Sequence, residues 1–372
     1  MNEIGDREMQ TVAVIGAGVV GASVAFRLAQ AGAKVILIDR GEPGHGTSAS
    51  SFAWANANQK TPRDYFELNF AGLREHKRLR DELGDAPWLH DGGNLVYSAN
   101  EADVEARVAR LTEWDYAAEW MTAAEVNASL ESNIRFSDPS SRIAFFPDEC
   151  WVNAPQLAVS LVERARRLGA ETRFGTALNA VELTDGRVRA ISIGQSERIE
   201  IDALVNTAGP GADKVATMVG RTLPLAPTSG LLVRVEVSPA PVQRIVHLPQ
   251  IHIRPDGDGF VLLQHDDTDD QVGDRTTIDT NHPLVRELLT RATTTIAGFD
   301  DARIVDARIG IRPIPRDGRS CVGGIAYIDG YYEAVTHSGV TLGPLLGRLL
   351  ANEIVNGERD TLLAPFSPNR FV

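Results

Sequence analysis

The amino-acid sequence predicts an α/β fold in which a Rossmann-type domain is interleaved with an α+β domain that contains a mainly antiparallel sheet. Three segments carry this prediction: a β-α-β pattern over residues 11–39, a second apolar strand that runs into small residues over 202–209, and alternating strands over 230–265. With 372 residues, the chain is also longer than one simple core, so we expect about two domains.

The β-α-β pattern begins with the β-branched strand Thr11–Ile15, which leads into Gly16-Ala-Gly18-Val19-Val20-Gly21. Residues 22–31 then place apolar side chains at helical spacing. A second strand over 34–38 ends at Asp39. A glycine-rich turn between a strand and a helix, with an acid after the next strand, predicts a site for a dinucleotide.

Further helices and strands follow along the chain. Helical spacing covers residues 73–83, 102–130, 155–168, 280–296 and 341–356, and strand patterns cover 93–98, 173–183 and 188–193. Asp185-Gly186 predicts a hairpin between the last two strands. Changes of composition place the Rossmann-type domain at residues 1–85, 146–222 and 305–372, and a substrate domain at residues 86–145 and 223–304.

Composition and charge exclude several classes of function. The 37 basic and 50 acidic residues leave a net charge of −13, which suits a soluble protein and argues against a nucleic-acid partner. No apolar stretch approaches the roughly 20 residues of a transmembrane helix, and residues 1–10 do not resemble a secretory signal, so we expect a cytoplasmic protein. Cys150 and Cys321 are too few for a disulfide framework, and the histidine spacing predicts no metal site.

The glycine-rich turn has the residue types that a dinucleotide requires. The glycines allow a tight turn and a close approach of the backbone to a pyrophosphate, and the helix start supplies N–H groups. The acid after the second strand would accept hydrogen bonds from ribose hydroxyls, and it disfavours the 2′-phosphate of NADP. The predicted cofactor contacts in this unit are Gly16, Gly18, Val19, Val20, Gly21, Asp39 and Arg40. FAD and NAD share this pattern, so the turn alone leaves both open.

Several segments outside this unit resemble the D-amino-acid oxidase superfamily of FAD-dependent oxidoreductases, which includes glycine oxidase, sarcosine oxidase and D-amino-acid dehydrogenase. They are the hydroxyl-rich loop over 44–56, Trp151-Val-Asn-Ala-Pro155, Leu204-Val-Asn-Thr-Ala-Gly209-Pro, and Gly310-Ile-Arg312-Pro-Ile-Pro-Arg-Asp-Gly318 followed by Thr336-His-Ser-Gly-Val-Thr341. The resemblance covers almost the whole chain. It implies that the Rossmann-type domain binds FAD, and we expect the FAD to be non-covalent.

The resemblance also implies further cofactor contacts. The loop would contact the flavin, a main-chain group near residue 181 would meet the adenine, and the strand end after residue 204 would pass close to the cofactor. The N–H groups at the start of the last helix would stabilise negative charge on the reduced flavin. The residues concerned are Thr47, Ser48, Val181, Ala208, Gly209, Ser338, Gly339, Val340 and Thr341.

Arg312, His252 and His337 are the predicted catalytic residues. An arginine is suited to hold the carboxylate of an amino acid through two parallel hydrogen bonds, and the resemblance gives this role to Arg312. His252 stands where relatives often have a tyrosine over the substrate, and a histidine there is able to accept an amine proton. His337 would lie close to the flavin. The alternatives are an interdomain ion pair for Arg312 and a packing role for either histidine.

The resemblance thus implies oxidation of the C–N bond of a D-amino acid, glycine or N-alkyl glycine, by hydride transfer to flavin and hydrolysis of the imine. Oxygen or another acceptor would reoxidise the flavin. The alternatives are a flavoprotein subunit of a larger complex, a non-catalytic FAD module, or an oxidase of a larger specialised amine. The sequence leaves open whether the chain forms a homo-oligomer. An NAD dehydrogenase is opposed by the long loop over 44–58, and an aromatic hydroxylase by the absence of a glycine-aspartate motif near residue 321.

Overall fold

The computed structural model describes residues 9–371. The prediction about residues 1–10 therefore falls mostly outside the described residues. Within that range the chain forms the predicted α/β fold, with a nine-stranded sheet, an eight-stranded sheet and a small three-stranded sheet. No helix in the described part of the chain is long and apolar enough to cross a membrane.

The elements follow in chain order. The α-helices of residues 9–371 are α1 (Val19–Gln30), α2 (Arg63–Leu83), α3 (Glu101–Glu113), α4 (Ala123–Ser129), α5 (Ala154–Arg167), α6 (Ala212–Met218), α7 (Asp266–Val272), α8 (Pro283–Thr295) and α9 (Gly339–Asn356). The β-strands of the same residues are β1 (Thr11–Ile15), β2 (Lys34–Ile38), β3 (Trp54–Ala55), β4 (Leu89–His90), β5 (Asn94–Val96), β6 (Glu119–Thr122), β7 (Arg142–Phe146), β8 (Cys150–Val152), β9 (Glu171–Arg173), β10 (Leu178–Thr184), β11 (Arg187–Ile193), β12 (Glu197–Glu200), β13 (Ala203–Asn206), β14 (Thr228–Glu236), β15 (Ile245–His247), β16 (His252–Pro255), β17 (Phe260–Gln264), β18 (Arg303–Arg312), β19 (Cys321–Ile325) and β20 (Ile328–Val335).

The nine-stranded sheet contains the predicted β-α-β unit. Its main path runs β10-β11-β20-β13-β1-β2-β9, with β12 beside β11 and β19 beside β20. β1 pairs in parallel with β2 on one side and with β13 on the other, so the strand predicted over 202–209 lies next to the first strand. These central strands consist mostly of buried aliphatic residues, which is typical of a parallel sheet covered on both faces.

The eight-stranded sheet runs β18-β14-β17-β16-β15-β5-β7-β6. Its neighbouring strands are antiparallel except for the parallel pair β15 and β5, which agrees with the predicted sheet type. β18 pairs with β14 along its length, so the segment that follows the predicted limit at residue 305 begins within this sheet. The predicted domain limits stay predictions.

Two predicted elements are divided in the structure. The helix predicted over 102–130 consists of α3, β6 and α4, because α3 stops before Asp115, which has a left-handed φ of 56°, and β6 pairs with β7. Thr122 then starts α4 with a capping box to Glu125. The strand predicted over 173–183 is divided into β9, which pairs with β2, and β10, which pairs with β11 around the predicted hairpin turn.

Helix α9 packs against α1 and α2. Its contact with α1 depends on two glycines, since a Cβ on Gly343 would lie 2.5 Å from Cγ1 of Val19 and a Cβ on Gly347 would lie 2.6 Å from the carbonyl carbon of Ser23. Any side chain at these positions would separate the two helices. The last helix of the chain is therefore held directly against the first.

Candidate active site

The glycine-rich turn is packed too closely for side chains. Gly16 has a φ of 106°, in the left-handed region, and a Cβ there would lie 2.4 Å from the carbonyl oxygen of Thr207. A Cβ on Gly21 would lie 1.8 Å from the carbonyl oxygen of Gly16. The turn therefore touches the segment after β13, which brings the predicted contacts Ala208 and Gly209 next to the turn.

Asp39 organises the loop in front of α1. Its carboxylate accepts hydrogen bonds from the main-chain N–H groups of Ala17, at 2.6 Å, and Gly41, at 2.8 Å. Ser48 lies at the start of α1, where its hydroxyl oxygen accepts from the N–H of Val19 at 3.1 Å. Arg40 is exposed. The structure thus brings Gly16–Gly21, Asp39 and Ser48 together, while their contacts with a cofactor stay a proposal.

Thr47 and Val181 have other structural contacts. The hydroxyl of Thr47 donates to the carbonyl oxygen of Ile311 at 2.6 Å and so ties the loop to β18. Val181 pairs with Ile191 within β10 and β11. The main chain of Asp39 is contacted by Thr176, which precedes β10 in the chain. The N–H of Thr176 donates to the Asp39 carbonyl oxygen at 3.0 Å.

The N-terminus of α9 lies beside that of α1. A Cβ on Gly339 would lie 3.5 Å from Cγ2 of Val20. Leu342 N–H donates to the carbonyl oxygen of Ser338, so the three N–H groups before it begin the helix without a partner from the preceding turn. Ser338 does not cap α9 with its side chain, and its hydroxyl instead lies 3.1 Å from the hydroxyl of Tyr65. Two positive helix ends therefore lie side by side.

A cavity of about 270 Å³ lies between the 47–60 loop, the eight-stranded sheet and the start of α9. We refer to it as the central cavity. It is lined by Thr47, Ser51, Trp54, Asn56, Lys60, Leu231, His247, His252, Gln264, Asp266, Arg312, His337, Ser338, Val340 and Thr341, among others. All three predicted catalytic residues therefore lie on one cavity, together with predicted contacts of the flavin.

Arg312 forms an ion pair as well as lining the central cavity. Its Nη2 donates to Oδ2 of Asp269 at 2.5 Å, and its Nη1 lies 3.4 Å from the carbonyl oxygen of Ser229. Asp269 also accepts from the N–H of Leu231 at 2.7 Å. Burial raises the pKa of Asp269, and the Arg312 guanidinium opposes this increase. Arg312 thus forms an ion pair, which was the predicted alternative to a role in substrate binding. The ion pair also holds the guanidinium beside the cavity.

His252 lies on the same face of the sheet. Its Nδ1 is 3.2 Å from Oε1 of Gln264, and the amide nitrogen of Gln264 donates to Asp266 at 3.0 Å and Asp269 at 3.2 Å. Burial lowers the pKa of His252 below its ordinary value. The same carboxylate of Asp269 therefore orients both Arg312 and, through Gln264, His252.

His337 has two cations near it. It is exposed to the central cavity, and desolvation, followed by the charges of Lys60 and Arg312, lowers its pKa to about 4. Desolvation also lowers the pKa of Lys60 to about 8, although Glu149 opposes this change. His337 is therefore a neutral group near pH 7, and the positive charge at this side of the cavity comes from its neighbours.

The polar groups behind the cavity were not predicted from the sequence. Glu149 is fully buried and accepts from Tyr116 at 2.6 Å, Trp54 at 2.7 Å, Asn58 at 2.9 Å and Asn94 at 3.0 Å. Burial raises the pKa of Glu149 to about 7. No motif connects these residues, because they come from separate strands and loops, and only a buried acid in an apolar context such as Phe146-Pro-Asp-Glu-Cys150 could have signalled it.

These features fit FAD. The glycine-rich turn forms a cradle that a Cβ would fill, and the paired helix starts favour negative groups. At the other end, the side-chain oxygen of Asn56, which lines the central cavity, is buried and lacks a hydrogen-bond partner among residues 9–371. A dinucleotide that extends from the turn into the cavity has both the phosphates and the donors for these groups.

Comparison with known proteins agrees with this fit. The glycine oxidase of Bacillus licheniformis is 26% identical over 357 residues, which cover 94% of each chain. A subunit of the opine oxidase of Agrobacterium tumefaciens (strain Ach5) is 24% identical over 368 residues, which cover 96% of each chain. The crystal structure of glycine oxidase from Geobacillus kaustophilus has the same fold, with a TM-score of 0.85 at 23% identity over 98% of this chain and 100% of that chain.

A family model described as FAD dependent oxidoreductase (DAO) matches residues 11–353, from the first strand into the last helix. This match includes the glycine-rich turn, the central cavity and both large sheets. The chain therefore belongs to the DAO family of FAD-dependent oxidoreductases.

Proposed function

We propose that this oxidoreductase oxidises the C–N bond of a small amino acid or amine at the central cavity. The observation that carries the proposal is the position of Arg312 and His252 on one cavity wall, both oriented by Asp269. A cation and a neutral nitrogen base are the two groups that an α-amino acid needs for its carboxylate and its amine. Relatives named glycine oxidase support the same substrate class.

Arg312 is the proposed partner of the substrate carboxylate. Asp269 takes up Nη2 and thereby fixes the plane of the guanidinium, so the rest of its donors are held in a set direction. Its side chain is 31% exposed, which leaves donor surface on the cavity. A fixed guanidinium loses less conformational entropy on binding than a free one, and this favours a precise position of the substrate Cα.

The amine must lose its positive charge before the C–H bond is broken, because a neutral nitrogen lone pair stabilises the cation that forms at Cα. His252 is proposed to accept either a proton from the amine or a hydrogen bond from an amine N–H group. When bound, FAD supplies the acceptor for the hydride from Cα. The imine that leaves this step reacts with water to give a keto acid or aldehyde and ammonia or an amine. The N–H groups of Gly339, Val340 and Thr341 are proposed to stabilise negative charge at the cavity.

The FAD is proposed to be bound without a covalent bond. Both cysteines are buried, and His45 lies in the exposed part of the loop before Gly46–Ser48. Precipitating the purified protein with acid should therefore release its flavin into the supernatant. A yellow pellet would contradict this point. The cytoplasmic location, the homo-oligomer and the identity of the electron acceptor stay predictions.

The function is tested by adding substrates to the purified protein without oxygen. Glycine, sarcosine, D-alanine and D-proline are added separately while the flavin band near ~450 nm is recorded. We expect at least one of them to bleach the band, and readmitting oxygen then tests whether oxygen is the acceptor. A flavoprotein that none of the four bleaches would contradict oxidation of a small amino acid.

A second candidate is a catalytic subunit of a larger complex. The relative named as a subunit of opine oxidase, which aligns over 96% of this chain, favours it. Purification of a tagged chain from its native cells, followed by size measurement, tests this candidate. A stable partner in stoichiometric amount would support it, and a chain that purifies alone and turns over in full would contradict it.

A further inference from the structure

Two histidines on the central cavity are each held by a side-chain amide that is itself held by a carboxylate. The first set is Glu149, Asn94 and His247. The amide nitrogen of Asn94 donates to Glu149 at 3.0 Å, so the oxygen of Asn94 is the atom that faces Nδ1 of His247, at 2.7 Å. An amide oxygen only accepts, and Nδ1 of His247 must therefore carry the proton.

The second set repeats this order on the next strand. The amide nitrogen of Gln264 donates to Asp266 and Asp269, so its oxygen faces Nδ1 of His252 at 3.2 Å. Nδ1 of His252 must carry a proton for the same reason. In both rings the nitrogen without a proton is Nε2, and neither Nε2 has a hydrogen-bond partner within the described range 9–371.

The two rings lie next to each other. Their centroids are 4.4 Å apart, and both residues line the central cavity. Trp54 packs on His247 with a centroid distance of 4.3 Å and donates to Glu149 at 2.7 Å, which fixes the ring from its other side. The cavity wall therefore contains two neighbouring imidazole rings, each held at its Nδ1.

Both rings are neutral near pH 7. Burial, followed by the charges of His252, Arg107 and His265, lowers the pKa of His247 well below its ordinary value. Burial also lowers the pKa of His252, and His265 adds to this effect while Asp266 and Asp267 oppose it. A neutral ring keeps the Nε2 lone pair, so each histidine accepts a hydrogen bond and does not donate one from Nε2.

We propose that His247 and His252 form a pair of acceptors for the two N–H bonds of a neutral primary amine, so that the substrate is a primary amino acid and not an N-alkylated one. This inference rests on the proposed oxidation of an amino acid. A primary amine satisfies both acceptors and keeps its lone pair free to form the C=N bond. A secondary amine satisfies one acceptor, and a tertiary amine leaves both without a partner. Glu149, Asn94 and Gln264 are positioning residues in this arrangement.

The first test is an N-methyl series on the holoenzyme. It compares glycine, N-methylglycine and N,N-dimethylglycine, or the same three forms of D-alanine if D-alanine bleaches the flavin faster. We expect kcat/KM to fall about tenfold for each methyl group, which is the effect of one lost neutral hydrogen bond. A series that is flat, or that rises with methylation, would overturn the proposal while leaving amine oxidation intact.

Steric effects of the methyl groups are separated by variants of the positioning residues. Asn94→Leu removes the acceptor that holds the tautomer of His247, and Gln264→Met does so for His252. Each should reduce the ratio of kcat/KM between the primary and the N-methyl substrate from about tenfold toward one, because one acceptor is lost in advance. Asn133→Leu, which removes a half-buried amide bonded to the Pro241 carbonyl, is the matched control and should keep the full ratio.

The tautomers are measured directly, without turnover. Long-range ¹H–¹⁵N spectra of the histidine rings, assigned with single His→Gln variants, show which nitrogen carries the proton. We expect His247 and His252 to be protonated at Nδ1 and free at Nε2 from about pH 6 to about pH 8. A proton on Nε2 of either ring would overturn the proposal. If no amino acid bleaches the flavin but the tautomers are as expected, the proposed function fails, and the primary amino-acid substrate fails with it.

Discussion

The glycine-rich turn with the starts of α1 and α9, here called the cofactor side after its proposed role, and the sheet wall of the central cavity, here called the substrate side, are built in different ways. On the cofactor side, the available polar groups come from the backbone: a glycine-rich turn, main-chain N–H groups and two helix ends. On the substrate side, they come from side chains on separate strands, each held by a buried partner, as Arg312 is held by Asp269. A site built from the backbone is encoded by a continuous sequence motif. A site built from side chains is encoded by separate residues, and their roles depend on their neighbours in the folded structure.

The largest effect is expected from a side chain in the turn. Gly21→Val would place its Cβ 1.8 Å from the carbonyl oxygen of Gly16, so the turn would have to open and the phosphate site would be lost. We expect FAD affinity to fall on the order of 100-fold or more, and the purified protein to be colourless. The ratio of flavin to protein absorbance measures this.

The matched control is Gly211→Ala, because a Cβ at Gly211 would meet no atom within 4 Å. That variant should retain its flavin. A Gly21→Val protein with a full complement of FAD would show that the cofactor side does not depend on the close backbone packing described above.

The substrate side is tested next by Arg312→Ala. The loss of a charged, two-point contact should raise the KM of a carboxylate-bearing substrate by about 100-fold, and should leave an amine without a carboxylate almost unaffected. Steady-state kinetics measure both. Arg303→Ala, at the exposed end of the same strand, is the control. An unchanged KM would remove Arg312 from the site and leave it as a partner of Asp269 only.

Glu149 gives the substrate side a dependence on pH. Its pKa is about 7 in the folded chain, whereas an unfolded chain has the ordinary value of 4.5. Between these two pH values, the folded chain therefore binds more protons than the unfolded chain. The stability that this group contributes is full below pH 4.5 and is lost as the pH rises through about 7.

We therefore expect Glu149→Gln to remove this slope. Across that pH window, the wild type should lose about 3 kcal/mol more unfolding free energy than the variant. Denaturant midpoints at a series of pH values measure the difference. Parallel curves for the two proteins would contradict the raised pKa.

The smallest effect concerns the link between the two sides. Thr47→Val removes the hydrogen bond between the loop and the Ile311 carbonyl, and should cost about 1 kcal/mol of unfolding free energy. Thr290→Val, on the exposed face of α8, is the control, since its hydroxyl bonds only within its own helix. Thermal or chemical unfolding measures both. A loss equal to that of the control would mean that the loop is held by its other contacts.

The same comparison explains what the sequence could and could not predict. The β-α-β unit that ends at Asp39, and the strand next to β1, could be predicted because each is encoded by residues that are close together in the sequence. The resemblance singled out His252 and Arg312, and their catalytic roles stay proposals. Their connection through Asp269 could not be predicted, since the three residues come from β16, β18 and α7 and meet only after the sheet forms. The pairing of His247 with Asn94 was hidden for the same reason.

The prediction of one helix over 102–130 was wrong, because the spacing of apolar residues does not indicate that Asp115 has a left-handed φ. Only the reversal at Asp115 and the pairing of β6 with β7 show that the segment turns. The contact of Val181 with the adenine, which the resemblance implies, stays a prediction.

The strand order of the nine-stranded sheet has a consequence for how this sheet folds. β20 lies between β11 and β13, so the hairpin of β10 and β11 joins the first strands only through a segment far along the chain. α9, which follows β20, lies against α1. The sheet thus depends on contacts between residues distant in the sequence, and such contacts form slowly because the long loop between them must first close.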